Sequence, residues 1–530
     1  VQPAPVGAVG SVGYDTTAIG RWDVVPYQTV TGDFNIGVVA FDIAGIDHVD
    51  FSLNGGAWTP VTAMAMNPTT NTWEYTATIH TADVPDGPME VRAIVWPRAG
   101  TPRVLGGAMP TGYSNGQFSL FLTSNGHGTI APPSVYVRAS GNDSNNGSTT
   151  SPVRTIARAA AILGSNANGA TIYVGEGDFA SIGGSASATT RWLNLVGEPG
   201  TNPANVRIIG PSAGSGLYGV AMLHVKNMTI VLPAWVNGQT NYAVFETTTP
   251  SSRLWMENCT IQNVNLDRHV RVAPLCNGSD MFATDTIFRE VDGGPYGSVV
   301  ARNVQVLGMI NAGFSNSSLV VNCKVDNIEF YGGYHPDVYQ LYRPGQAVDN
   351  IIIYGLRATN CDSQGLNIGA SASVSNMAMV NVLIQKTGAS SMASQMGTGF
   401  NHMLLWDSTL LQGITWYGCT NLANVSFRNN VFTGFWYYDW NTRDAGIAAL
   451  QGALGPHSSQ NHYVAPLQNG PFALGSAYTT GDPMLVDAAN GNFRPAAASP
   501  IRGRVLIPLV PADAAGVVVP TPGALGAYQP

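Results

Sequence analysis

The segments LWMENCTIQNV (254–264), VVARNVQVLGM (299–309), LVVNCKVDNI (319–328) and IIIYGLRATNC (351–361) repeat one pattern: alternating apolar residues, a small or Asn corner, then a second short strand. The pattern continues upstream in LNLVG (193–197), VRIIG (206–210) and LHVKNMTIV (223–231). It recurs in MFATDTIFREV (281–291), and downstream in MAMVNVLIQKT (377–387), MLLWDSTLLQG (403–413) and ANVSFRNNVFTGF (423–435). Copies at roughly 20 to 38 residues, with the excess length in Gly/Ser loops, predict coils stacked by lateral hydrogen bonds at about 4.8 Å. The apolar faces fill the solenoid, and the pairs Asn258-Cys259, Asn322-Cys323 and Asn360-Cys361 form ladders at one corner, a structural role. A β-propeller is the weaker reading, because four-stranded blades need hairpin turns where these units show strand pairs about a corner.

The array opens with VYVRASGNDSNNGSTTSPVRTIARAAAIL (135–163): a strand, a turn cluster, then a helix with Ile156, Ala159, Ala160 and Leu163 on one side. With IYVGEGDF (172–179) after it, this opening resembles the N-terminal cap of right-handed parallel β-helix proteins of the pectate-lyase-like superfamily. GNFRPAAASPIRG (491–503) and GALGAYQP (523–530) resemble the closing segment of secreted members. Upstream, VDFSL (49–53), WEYTATI (73–79) and VRAIV (91–95) alternate as sandwich strands, with a turn at Asp86-Gly87. That stretch looks like an immunoglobulin- or fibronectin-like module with a spacing or docking role. The expected chain is therefore all-β: a β-sandwich over residues 1–125, a linker over 126–134, and a right-handed parallel β-helix with a short capping helix over 135–530.

Charged residues make up 11% of the 530, and Lys plus Arg number 24 against 32 Asp plus Glu, a net charge of −8 with no basic block. This argues against a nucleic-acid partner. Lysines are three (Lys226, Lys324, Lys386), so an electropositive site would use Arg. No stretch is long and apolar enough for a membrane span, and a secreted or cell-surface protein is expected. The five cysteines read as buried thiols, with one disulfide allowed, and no zinc spacing occurs.

Chemistry must lie on an outer face, where side chains of successive coils align. The densest polar coil is GGYHPDVYQLYRPG (332–345), carrying Tyr334, His335, Asp337, Tyr339, Gln340, Tyr342 and Arg343. One coil on, NCDSQGLNIG places Asp362 near His335, and Gln364 near Asp337, with Asn367 beyond; the next coil adds Asn401, His402, Trp406 and Asp407. Upstream lie Glu290 and Asp292, with Asp267, Arg268, His269 and Arg271 as either a site or a surface ion-pair network. Stacked carboxyls one or two coils apart bracket the spacings of retaining and inverting glycoside hydrolysis. Asp337, Asp362, Glu290, Asp292 and His335 are thus the catalytic candidates. Trp416, Trp436, Tyr438 and Trp440 offer aromatic faces for sugar rings.

The reading is an extracellular carbohydrate-active enzyme, a glycoside hydrolase on a neutral glucan or xylan-type polymer, without a cofactor or metal. The resemblance admits lyases as well as hydrolases. The expected β-helix, residues 135–530, lacks the paired-aspartate and Gly-His-Gly motifs of polygalacturonase-like hydrolases and the clustered Arg-Pro-Arg motif of calcium pectate lyases. A lyase acting on a uronate polymer would use His335, Tyr339 or Tyr342 as base, with Arg343 or calcium on the carboxylate. The rival of another class is a non-catalytic surface, filament or adhesive protein.

Overall fold

The recurring Asn is a corner residue. In the computed structural model, which describes residues 15–109, 117–180, 188–210, 221–232, 252–269, 280–331, 335–369, 373–387, 394–397, 399–411, 413–416, 421–433, 435–437, 443–464, 477–505 and 508–530, the chain from Ser134 onward winds as a parallel β-helix. From Ala312 to Tyr437 the coils cross three faces. Sheet A holds strands such as Ser298–Arg302, Leu319–Val321, Ala347–Tyr354, Ser373–Val380, Phe400–Trp406 and Leu422–Arg428. Sheet B follows with Gln305–Met309, Lys324–Ile328, Arg357–Cys361 and their neighbours. A and B hydrogen-bond as one 23-stranded sheet bent at the corner, because Met222–Leu232 and Arg253–Asn263 run through both faces. Sheet C has six strands, Ala312–Ser315, Asp337–Leu341, Leu366–Ile368, Ser394–Met396, Ile414–Trp416 and Phe435–Tyr437.

The A–B corner is built by Asn227, Asn258, Asp285, Asn303, Asn322, Gly355, Asn381, Asp407 and Asn429, all at φ between 49° and 72°. Asn and Asp tolerate this left-handed conformation best among residues with a Cβ. Their side chains bond from coil to coil: Asn258 Nδ2 to Asn227 Oδ1 at 2.8 Å, Asn303 Nδ2 to Asp285 Oδ1 at 3.0 Å, and Asn429 Nδ2 to Asp407 Oδ1 at 2.9 Å. The next residue turns inward, so Cys259 and Cys323 are free core thiols whose pKa burial pushes up to about 12. Asn360-Cys361 departs from the expectation: it closes the far end of sheet B, where Asn327 and Asn360 form a second left-handed stack. Cys276 and Cys419 lie outside the described residues.

The cap helix Ile156–Leu163 buries the four expected residues, and Thr155 caps it by accepting from Arg158 N at 3.1 Å. Asp143 ties the preceding loop to that start by accepting from the backbone N–H groups of Arg154 and Thr155. At the other end, the C-terminal segment lies along the corner: Asn381 Nδ2 donates to Ala512 O at 2.8 Å and Ala527 N to Thr409 Oγ1 at 3.0 Å.

The N-terminal module is a β-sandwich. One sheet orders Ile19–Trp22, Asp33–Phe41, Thr72–His80 and Ala65–Asn67; the other orders Thr29–Val30, Leu120–Ser124, Gly87–Pro97, Ile46–Leu53 and Thr59–Val61, with Arg103–Leu105 on Gly87–Pro97. Asp86-Gly87 lies, as expected, in a turn between two strands, Thr72–His80 and Gly87–Pro97, which belong to different sheets, and the Asp86 carboxylate holds the connection by accepting from His127 N and Thr129 N. The sandwich is fused sideways onto sheet A in one continuous hydrophobic core. Gly20 exchanges two hydrogen bonds with the Asn350 side chain, Arg103 pairs with Asp349 at 3.0 Å, Trp192 Nε1 donates to Pro26 O, and Phe41 packs edge-on against Tyr354.

Candidate functional site on sheet C

Sheet C carries the polar coil. In Asp337–Leu341 the backbone N–H groups of Val338 and Tyr339 both donate to Gly365 O, at 2.8 and 3.1 Å, which is a bulge. The bulge buries Val338 and Tyr339 together and brings Asp337 and Gln340 to the same side. Asp337 Oδ2 accepts from Gln340 Nε2 at 2.9 Å and from Asn367 Nδ2 at 3.2 Å; the same Asn367 nitrogen reaches Gln364 Oε1 at 3.2 Å. The expected stacking of Gln364 near Asp337 is therefore present, reinforced by Gln364 N donating to Pro336 O.

Asp337 is fully buried, and its Oδ1 has no partner among the described residues. Burial outweighs the two amide hydrogen bonds and lifts its pKa from 3.8 to about 7. A carboxyl in that range keeps its proton well above the usual carboxylate range.

From Gln340 a row of polar side chains runs along the sheet. The register Ser315, Gln340, Asn367, Gln395, Thr415, Trp436 is continuous over six strands, and Gln340, Asn367, Gln395 and Thr415 are half-buried beside fully buried neighbours. Five steps of about 4.8 Å give a row of ~24 Å. Gln395 and Thr415 were not singled out in the sequence. Their signal is the repeated polar–apolar pair Gln340-Leu341, Asn367-Ile368, Gln395-Met396, Thr415-Trp416.

The remaining candidates are distributed as follows. Asp292 lies two coils from Asp337: its carbonyl accepts from Asn311 N, and Asn311 O accepts from Asp337 N. Asp362 is half-buried, two residues before Gln364, with its N–H on Ile328 O. Glu290 is committed elsewhere, its carboxylate held by Arg268 Nε and Nη2 at 2.7 and 3.0 Å. Arg268 also approaches Glu329, and His269 bridges Asp267 and Glu329, so these residues are the ion-pair network. His335 and Tyr342 are exposed, and Arg343 Nη2 donates to Asn316 O at 3.0 Å.

Five residues expected to touch a ligand are instead enclosed, Gln364 among them at 3% exposed. Tyr339 is buried with its hydroxyl on Ser317 O at 2.7 Å. Trp406 donates to Ser426 Oγ, and Trp416 packs edge-on against Phe400 and Phe427 in the core. His402 occupies a left-handed slot between Asn376 and Asn424 and faces the sandwich: Ile43 N donates to its Nε2 at 3.1 Å, and its Nδ1 lies 3.1 Å from Thr17 O. Burial lowers its pKa to about 3, so it is a neutral docking residue. Tyr334, Arg271, Tyr438, Trp440 and the side chain of Trp436 lie outside the described residues. Among the described residues, no three His, Cys, Asp or Glu side chains converge on a metal position, and no helix is long and apolar enough to cross a membrane.

No family model matches the chain, and no curated protein matches it in sequence. Solved structures similar to it include XylC in complex with xylose (8% identity, TM-score 0.44, 74% of this chain and 98% of that chain). A lacto-N-biosidase of GH136 from Eubacterium ramulus is similar at 11% identity and TM-score 0.28, over 66% of this chain and 67% of that one. A rhamnogalacturonan lyase is similar at 14% identity and TM-score 0.22, over 66% and 82%.

Proposed function

We propose that this protein is an extracellular carbohydrate-active enzyme that lays a neutral glucan- or xylan-type polymer along the outer row of sheet C and hydrolyses it with Asp337 as general acid. The observation that carries the reading is the Asp337 carboxyl: proton-bearing near pH 7, hydrogen-bonded by Gln340 and Asn367, at the head of a row of amides. The amide side chains of the row suit sugar hydroxyls. The partner carboxylate would be Asp292, two coils away as in inverting enzymes, or Asp362, one coil away as in retaining ones. The sandwich, taken as an immunoglobulin-like module, serves as a fixed brace on sheet A. A second reading, polymer binding without turnover, is favoured by one fact: the Asp337 side chain is wholly covered.

The test measures new reducing ends and unsaturated products over a panel of neutral and uronate polysaccharides. Reducing ends without unsaturation support hydrolysis; unsaturated ends would replace it with elimination and a uronate substrate. Saturable binding without any product supports the second reading.

A further inference from the structure

A separate recess of about 430 Å³ opens where three parts of the chain meet, at the A–B corner away from sheet C. Its floor is the corner ladder, Asn303, Asn322, Gly355 and Asn381; Met66, Asn71 and Trp73 of the sandwich form one wall, and Asp513–Gly516 another. Gly355 takes a rung that Asn or Asp fills in the other coils. A Cβ there would lie 2.7 Å from Asn322 Oδ1, so the Asn322 side chain fills the place a side chain at 355 would take. Asn322 is pinned in place, its Nδ2 donating to Asn71 O at 3.2 Å.

The lining is chemically directed. Arg357 enters it with no carboxylate within ion-pairing distance among the described residues; its guanidinium rests 5.9 Å from the Tyr528 ring centroid. Lys324 lies beside it, half-exposed and 3.1 Å from Asp326. Asp513 also lines the recess; its side chain is 1% exposed, its oxygens accept from the N–H groups of Ala515, Val517 and Gln529, and Arg494 lies 3.9 Å from it. The indole N–H of Trp73 is enclosed and has no acceptor among the described residues. A cationic planar donor, amides and an aromatic wall in a recess of this volume are the complement of a sugar bearing a carboxylate.

We infer that this recess is a binding site for one uronate residue of an acidic saccharide, with the carboxylate on Arg357 and hydroxyls on the Asn ladder. The inference does not depend on the reading of sheet C.

Isothermal titration calorimetry on the full chain tests it, with methyl glucuronoside, methyl galacturonoside, the matching neutral glycosides, and acetate as probes. The expected result is uronate binding with a Kd of about 1 mM or tighter, and neutral glycosides at least ~10-fold weaker. Arg357→Gln should remove that difference. Lys324→Gln, at a half-exposed side chain, should weaken uronate binding about 3-fold and serves if Arg357→Gln does not fold. Gly355→Ala, whose Cβ would displace the Asn322 side chain, should weaken binding, and Asp337→Asn should leave it unchanged. Absence of heat with both uronates would overturn the inference. So would acetate binding as tightly as uronate, or uronate binding indifferent to Arg357→Gln, Lys324→Gln and Gly355→Ala.

Discussion

Asn350 decides whether the sandwich is a fixed part of the solenoid. Its side chain accepts from Gly20 N at 3.0 Å and donates to Gly20 O at 2.8 Å, completing the open edge of strand Ile19–Trp22, and Arg21 Nε donates to its carbonyl. All of this is buried, and Asn350 itself sits at φ 63°. Asn350→Ala would strand two buried backbone groups, at about 1–3 kcal/mol each. It also places Ala in the left-handed region, at ~1 kcal/mol more. A loss of at least about 3 kcal/mol follows, whereas Asn350→Gly keeps the conformation and should lose ~1 kcal/mol less. Urea unfolding followed by circular dichroism, with limited proteolysis of the 125–133 connection, reads both effects. An Ala variant within 1 kcal/mol of wild type, and equally resistant to protease, would refute the docking account.

Burial lifts the Asp42 pKa from 3.8 to about 7, beside the neutral His402 ring at 3.5 Å. The unfolded chain loses this proton first, so the group's contribution to stability falls as pH rises from about 4 through 7. Asp42→Asn should therefore stabilise more at pH 8 than at pH 5, by ~2–3 kcal/mol; equal gains at both would contradict the assignment. His402 acts oppositely: held neutral, it costs stability as pH falls below 6.5, and His402→Gln should flatten the acid limb of a melting-temperature profile. Trp416→Ala should cost ~3–5 kcal/mol in unfolding experiments, as a core deletion does; a stable variant with weakened polymer binding would return Trp416 to the ligand surface. Glu290→Gln should leave turnover unchanged, since Arg268 engages that carboxylate; a tenfold loss of rate would place it in the catalytic set.

The corner ladder was legible because a left-handed slot selects Asn, Asp or Gly at each coil, and the selection survives in the sequence as Asn258, Asn303, Asn322 and Asn381. The cap helix was legible from its period and from Thr155. The pairing of Asp337 with Gln364 followed from coil length alone. Other features were not readable for physical reasons. Asn360-Cys361 has the same dipeptide as the corner pairs, since both turns impose the same backbone conformation. Trp406 and Trp416 look like a sugar platform because residue type does not say which side of a strand faces inward; the bulge at Val338, which shifts that phase, arises from a hydrogen bond to a residue one coil away. His402 was misread because its partners, Thr17 and Ile43, lie more than 350 positions upstream.

The most direct test of the sheet C account compares wild type with Asp337→Asn on whichever polymer of the panel the wild type cleaves, measuring turnover and polymer affinity together. The account predicts turnover reduced ~10²–10⁴-fold with affinity retained, because the amide keeps the contacts to Gln340 and Asn367 but has no proton to give. Turnover within a factor of two of wild type would contradict it.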